Sequence, residues 1–436
     1  MSNLKTRLAC MIALSASAVA GAAHAQSTTG SLNQAAAQSG DLFARDRSIP
    51  VRDRPRPDYE ALGMPVGTFT AFPSVQIDAE YTDNVFAVSN GADGDWIVHV
   101  KPEVQLESGW SRHALAAYAR ADIARYQDFS NENFEDYGVG ASGRLDFTRA
   151  ANLAGGVDYA SVTEPRTSSN APASTREPIQ YELTSGFVAG TRVGGRVKLS
   201  GRADIREYNY EDGLTLGGVV VDQDNRDRTI TSLTARGDYA VSPATAVFAQ
   251  VTGNKRDYDT ATSVLLPARD SDGYEFLAGA NFELGAVARG EVAVGYISQT
   301  FDAAAYDEIS GFGTRAQLEW FPTQLTTVTG TASRTIEDAG IAGSGGYLSS
   351  AVGVRVDHEL LRNVLLNANL TYSQDEYEGI DRNDDRLQVS AGGTYLVNRN
   401  LGVTLSASHF EQASDGVAGG SDFDVNRVSL SLVAQF

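Results

Sequence analysis

The chain closes on Val428-Ser429-Leu430-Ser431-Leu432-Val433-Ala434-Gln435-Phe436, an alternation of apolar and polar residues that ends on an aromatic residue. Side chains of a strand alternate between its two faces, so Val428, Leu430, Leu432, Ala434 and Phe436 share one face while Ser429, Ser431 and Gln435 share the other. Val433 is the exception. A soluble protein avoids ending on such a strand, because unpaired amides at an open edge template aggregation. A transmembrane barrel must pair its last strand with its first, so it can end this way. Val428, Leu430, Leu432 and Phe436 are the candidate assembly signal, with Phe436 its most specific element.

The N-terminus carries an address. Lys5 and Arg7 precede an apolar run from Leu8 to Ala20, and Ala23-His24-Ala25 offers a small-x-small cleavage site before Gln26. Residues 1–25 therefore read as a secretory signal peptide. The sole cysteine, Cys10, falls inside it, which excludes disulfides, thiol catalysis and cysteine-based zinc sites from the remainder. No later stretch approaches the ~20 apolar residues of a membrane helix. The net charge of −20 argues against nucleic acid, whose phosphates need a basic footprint.

Residues 26–65 read as a flexible periplasmic segment, polar at first and then rich in proline and arginine from Ser48 to Pro65. Over 66–436 a unit recurs every 35 to 50 residues or so, consisting of a strand, an acidic loop, a returning strand and a tight turn. Turns are expected near Gly109, Arg149, Gly194, Ser242, Val287, Pro322, Leu361 and Asn398. Counting the halves gives about eighteen strands, an even number that suits bacterial barrels. The expected fold is all-β: a transmembrane antiparallel up-and-down barrel with both termini periplasmic.

The alternation also sorts the faces. Val197, Leu199, Ala203 and Ile205 oppose Arg196, Lys198, Ser200, Arg202, Asp204 and Arg206. A cation facing lipid at midplane costs about 2–4 kcal/mol, so the charged set belongs in the lumen. The same logic assigns Arg236, Asp238, Arg315, Arg355, Asp357, Arg386 and Arg427 to the lumen. Acid and base two residues apart recur, as in Arg236 with Asp238 and Arg355 with Asp357. These pairs either stiffen the wall or set up a transverse field acting on solutes. Tyr126, Tyr208, Tyr210, Tyr258, Phe301 and Tyr377 are expected in one interfacial girdle, and Phe147, Tyr239, Trp320, Phe321 and Tyr395 in the other.

The loops are acidic and read as solvated. Asp222 with Asp224, and Asp381 with Asp384, are spaced like calcium ligands, but neither stretch has the twelve-residue loop with its terminal glutamate, so no metal or other cofactor is expected. His99, His113, His358 and His409 fall on different strands and no catalytic elbow or metalloprotease motif is present, so no enzyme is expected. The loops near Glu164–Pro178 and Glu211–Asp227 look modest, which favours a wide or partner-gated pore over one narrowed by an inward loop.

Two stretches go beyond barrel grammar: Arg54-Pro55-Arg56-Pro57-Asp58-Tyr59 with Gly63, Gly67 and Phe69, and Pro73-Ser74-Val75 leading to Tyr81-Thr82-Asp83-Asn84-Val85-Phe86. Together with the Trp110-Ser111-Arg112-His113 turn, they resemble the putative β-barrel porin 2 family of Gram-negative outer-membrane proteins. The resemblance implies an outer-membrane channel, many relatives being linked to exopolysaccharide export, and it implies no catalytic residues. The expected function is a conduit for exopolysaccharide or another polar polymer. The alternatives are a general or sugar-selective diffusion porin and a structural or adhesive protein. Expected partners are outer-membrane lipid and lipopolysaccharide, the barrel-assembly machinery and periplasmic polysaccharide-export components, with no nucleic acid.

Overall fold

The computed structural model describes residues 49–172, 174–261 and 267–436. The expected signal peptide and residues 26–48 lie outside them. Eighteen strands of 13 to 16 residues follow one another from Phe69–Thr82 to Phe423–Gln435. Each pairs antiparallel with its sequence neighbours, and the last returns to the first, with Ser74 opposite Gln435 and Thr82 opposite Arg427. The eighteen-stranded closed barrel inferred from the alternation is the observed fold.

Every expected tight turn lies within two residues of an observed strand end or start. Gly194 pairs with Val197, leaving a two-residue turn whose Gly195 has φ +60, a conformation that disfavours side chains with a Cβ. Register shifts at Asp146/Thr148, Ala240/Ser242, Trp320/Thr323 and Glu359/Leu361 sit beside tight turns, where bulges help a barrel rim to bend. Pro102 has no N–H to give. The ladder between Asp95–Ser108 and Ala114–Tyr126 accordingly skips from Val100 to Glu103.

The packing is inverted relative to a soluble protein. Leu199, Ile205, Leu233, Leu370 and Leu430 face outward and are exposed, while Asp78, Asp238, Glu319, Asp357 and Asp375 face inward and are buried. Hydrocarbon outside and a polar lumen inside account for both sets. Phe147, Tyr239, Trp320 and Tyr395 are exposed at the short-turn end, whereas Phe321 at that end is only partly buried and lies near the Arg289 guanidinium. At the long-loop end the expected girdle is corrected. Tyr208, Tyr210, Tyr258, Phe301 and Tyr377 are all buried, and Tyr126 is partly so. Their parity explains it: Tyr208 and Tyr210 share the face of Arg202 and Arg206. The outward aromatics of that end are Tyr81, Trp96, Tyr137, Tyr274, Tyr296 and Tyr372.

A second correction concerns residues 49–63, read as part of a flexible segment. They cross the short-turn mouth, hydrogen-bonded to its wall at Thr327 and Glu359. Val51 there is 2% exposed. The first described residues and Phe436 lie at this same end, where the Phe436 amide donates to the Pro73 carbonyl at 3.1 Å.

Candidate functional site

The inner face of the wall is organised by Arg-x-Asp, two residues on one face of one strand. Arg202 meets Asp204 at 2.6 Å, Arg236 meets Asp238 at 2.8 Å, Arg355 meets Asp357 at 2.8 Å and Arg144 meets Asp146 at 3.0 Å. Arg236 also reaches Glu291 on a more distant strand at 2.7 Å, and its guanidinium lies 3.6 Å from the Phe248 ring centre. Such charge-assisted pairs brace the wall by holding each guanidinium against its own strand.

The remaining lumen candidates divide four ways. Arg386 is held by Asp375 at 2.9 Å and Gln412 at 3.0 Å, Arg315 by Glu275 at 3.4 Å and Arg427 by Glu80 at 3.7 Å. Lys198 faces inward opposite Asp238 in register. Arg206 lines the central cavity and has no carboxylate within 4 Å among the described residues. Arg196 is corrected: it sits in the Gly195-Arg196 turn, exposed at the mouth, because the strand starts one residue later at Val197. In the last strand Val428, Leu430, Leu432 and Phe436 all point outward.

The cavity has a volume of about 1120 Å³. Its charges are sorted by wall. The first four strands contribute Glu80, Glu103, Asp122 and Asp136 against Lys101 and Arg120. Strands Val197–Tyr210, Arg228–Ser242 and Thr245–Tyr258 contribute Arg202, Arg206, Arg228 and Arg256 against Asp204. Ser232, Thr234, Gln250, Thr252 and Asn254 interleave with the cations as neutral hydrogen-bonding groups. The acidic excess of the whole chain is therefore absent from this basic wall. Sequence parity placed Arg206 here, but nothing in sequence pointed to Asp338, which reaches Arg228 at 3.0 Å and Arg256 at 2.5 Å from a strand five and four further round, respectively.

The long-loop mouth has a roof. Loop 164–179 joins the fifth and sixth strands, yet its Asn170 Oδ1 accepts the Gly340 amide at 2.8 Å, eight strands round the barrel. Arg166 within it grips Glu132 at 2.7 Å. Arg226 grips its Glu164 through both nitrogens, at 2.8 and 3.0 Å, with the guanidinium 4.0 Å from the Tyr210 ring centre. Burial works against the Arg226 charge, but the Glu164 carboxylate outweighs it and holds the guanidinium above its ordinary pKa. Arg269 donates to the carbonyls of Ala339 and Asn225 from a further loop. The expectation of modest, non-occluding loops is thus corrected: one loop spans the lumen. Its sequence gave no sign because Pro165, Ser168, Ser169 and Asn170 read as ordinary loop chemistry.

The acidic loops are only partly solvated. Asp384 is wholly buried against Arg382 at 2.6 Å, which occupies the carboxylate that a cation would need. Asp212, Asp222 and Asp224 do cluster, their oxygens within 4.8 Å of one another and all exposed. Asp212 and Asp222 there accept the amides of Gln223 and Asp224, each at 2.9 Å. The four histidines bond to four separate partners, Asp122, Asp146, Thr326 and Asn426.

The short-turn mouth has a floor. Arg54 and Arg56 both donate to Glu359 Oε2, at 3.0 and 3.1 Å. Arg52 lies 3.6 Å from Glu319. Arg362 and Arg399 return donors to the carbonyls of Pro55 and Pro57, each at 3.0 Å, and the Val51 amide donates to Thr327 Oγ1 at 3.0 Å. Burial pushes the Asp53 carboxyl above its ordinary pKa and pulls the Arg56 guanidinium below its own.

Residues 56–436 match the sequence profile of the family described as Putative beta-barrel porin 2. No curated protein matches the chain. Among solved structures, Pseudomonas aeruginosa OpdL is similar at 11% identity and a TM-score of 0.45, over 85% of this chain and 99% of that one. The siderophore receptor PiuA from Acinetobacter baumannii is similar at 11% identity and a TM-score of 0.46, over 84% of this chain and 82% of that one. A ferric enterobactin receptor mutant from Pseudomonas aeruginosa gives 8% and 0.45, over 84% and 80%.

Proposed function

The chain belongs to the putative β-barrel porin 2 family, a Gram-negative outer-membrane channel, and from that premise we propose that it admits small hydrophilic solutes selectively. The observation that carries this reading is the sorted cavity, with carboxylates on one wall and arginines on the other, beneath a loop that spans the lumen. A transverse field aligns dipolar solutes and raises the local concentration of charged ones. The hydroxyl and amide groups among the arginines suit sugars and carboxylated small molecules. No catalytic role is part of this reading, and the working partners are the lipids of its membrane and the solute itself.

A second reading, export of exopolysaccharide or another polar polymer, is favoured by a specific feature: both mouths are crossed by chain, as a conduit opened by a periplasmic partner would require. Purified protein in planar bilayers separates the two. A steady pore that also passes sugars into liposomes supports selective diffusion. A pore silent alone, together with loss of secreted polysaccharide when the gene is deleted, supports export. Silence under every voltage and salt, with secretion unchanged, leaves a structural or adhesive role.

A further inference from the structure

The two mouths are closed by different kinds of chain. Loop 164–179 is tethered to strands at both ends, so it can rearrange but cannot leave. Among the described residues, the arm 49–63 is continuous with the barrel through Gly63 and the short pairing of Met64–Val66 with Phe69–Ala71. It nevertheless reaches walls five to seven strands away, at Glu319, Thr327 and Glu359.

Its attachment has the form of a ligand in a receptor. Arg52, Arg54 and Arg56 present cations from two successive turns, closed by the Asp53 amide on the Pro50 carbonyl at 3.0 Å and the Tyr59 amide on the Arg56 carbonyl at 2.8 Å, with Pro55 between them. The receptor is a pair of inward carboxylates, Glu319 and Glu359, each 5% exposed. These carboxylates also have barrel cations nearby. Arg289 stands 2.6 Å from Glu319 and Arg362 stands 3.6 Å from Glu359. When the arm leaves, neither carboxylate is orphaned, so release carries no large desolvation penalty. Asp53 points the same way, since docking buries a carboxyl that solvent would ionise freely. The arm is thus held by one buried pair, Arg56 on Glu359, and by more exposed contacts that run from Glu319 round to Gln435.

We propose that residues 49–63 form a reversible autoinhibitory strap: the Arg52, Arg54 and Arg56 comb docks in cis on Glu319 and Glu359, narrows the short-turn mouth, and opens it by releasing. A proline- and arginine-bearing peptide is the chemistry that competes for the same carboxylates. The strap rests on the channel reading only for its effect on flux, so its docking is tested separately.

The chain after Cys10 contains no cysteine, so one introduced thiol reports on one place. In Cys10→Ser protein carrying Thr327→Cys, a bulky membrane-impermeant maleimide is expected to label slowly. Adding Arg54→Gln and Arg56→Gln should speed labelling about tenfold, as should a several-fold excess of a free peptide spanning residues 49–60. In Cys10→Ser protein with Val51→Cys and Thr327→Cys, an oxidised bridge should fix the strap, and reduction should raise single-channel conductance. Equal labelling in all variants, or equal conductance in bridged and reduced protein that conducts, would overturn the strap. A barrel that never conducts yet shows the labelling difference retains the strap and loses the channel reading.

Discussion

The roof and the floor of this barrel are both fastened by arginine on carboxylate, yet they are fastened for different purposes. At the roof, Arg226 and Glu164 are only 4% and 8% exposed, meet through two bonds and stack on Tyr210. At the floor, Arg56 is nearly as buried as the roof's arginine, at 6%, while Arg54 is 22% and Arg52 41% exposed; all three belong to the arm, so its release would carry them together into water. A buried bidentate pair is hard to break because each partner would be left charged in a dry setting. A pair open to water is screened by salt and held weakly. The same chemistry therefore gives a fixed constriction at the roof and, at the floor, one whose cations all leave together when the arm releases.

The largest effect should come from breaking the roof. Glu164→Ala leaves Arg226 buried without its carboxylate, and a loss of about 3–5 kcal/mol is expected in unfolding measured in detergent. If Glu164→Ala unfolds like wild type, the roof is not the fixed element. At the floor, Glu359→Gln should cost clearly less in unfolding than the roof change, since the arm can carry Arg54 and Arg56 into water instead of leaving them buried without a carboxylate. Labelling at position 327 should nevertheless quicken. A Glu359→Gln protein as destabilised as Glu164→Ala would erase the distinction.

Salt sharpens the comparison further. Raising ionic strength from about 0.1 to 1 M shortens the screening length from about 10 to 3 Å, so floor labelling should speed several-fold while roof stability barely moves. The smallest effect concerns pH. The raised pKa of Asp53 means that the docked arm binds its proton more tightly than the free arm does. This contribution favours docking as pH falls through the raised value and opposes it above. Asp53→Asn should slow labelling at neutral pH and flatten that trend; a steeper trend would reverse the assignment. Between the mouths, Arg206→Gln should leave stability unchanged and shift the anion-to-cation permeability ratio downward by about twofold, well under 1 kcal/mol. An unchanged ratio would mean that the unpaired arginine faces no solute.

Much of this was legible in the chain. The period-two alternation fixed strand number, strand limits and facing, and it placed Arg202, Arg206 and Arg236 in the lumen. Parity alone would also have turned Tyr208 and Tyr210 inward, had it been carried past Arg206 to the end of that strand. Arg-x-Asp on one strand was readable because its partners are separated by two residues.

Local alternation determined the barrel, because the side-chain period along a strand is a backbone property that needs no knowledge of distant residues. It says nothing about what crosses the lumen. Asp338 meeting Arg228, Asn170 meeting Gly340 and Arg54 meeting Glu359 join residues 110, 170 and 305 positions apart. Closing the sheet is what sets those residues face to face. The tertiary structure therefore decided which loop spans the pore, that the arm is docked, and why one of these closures is fixed while the other can release.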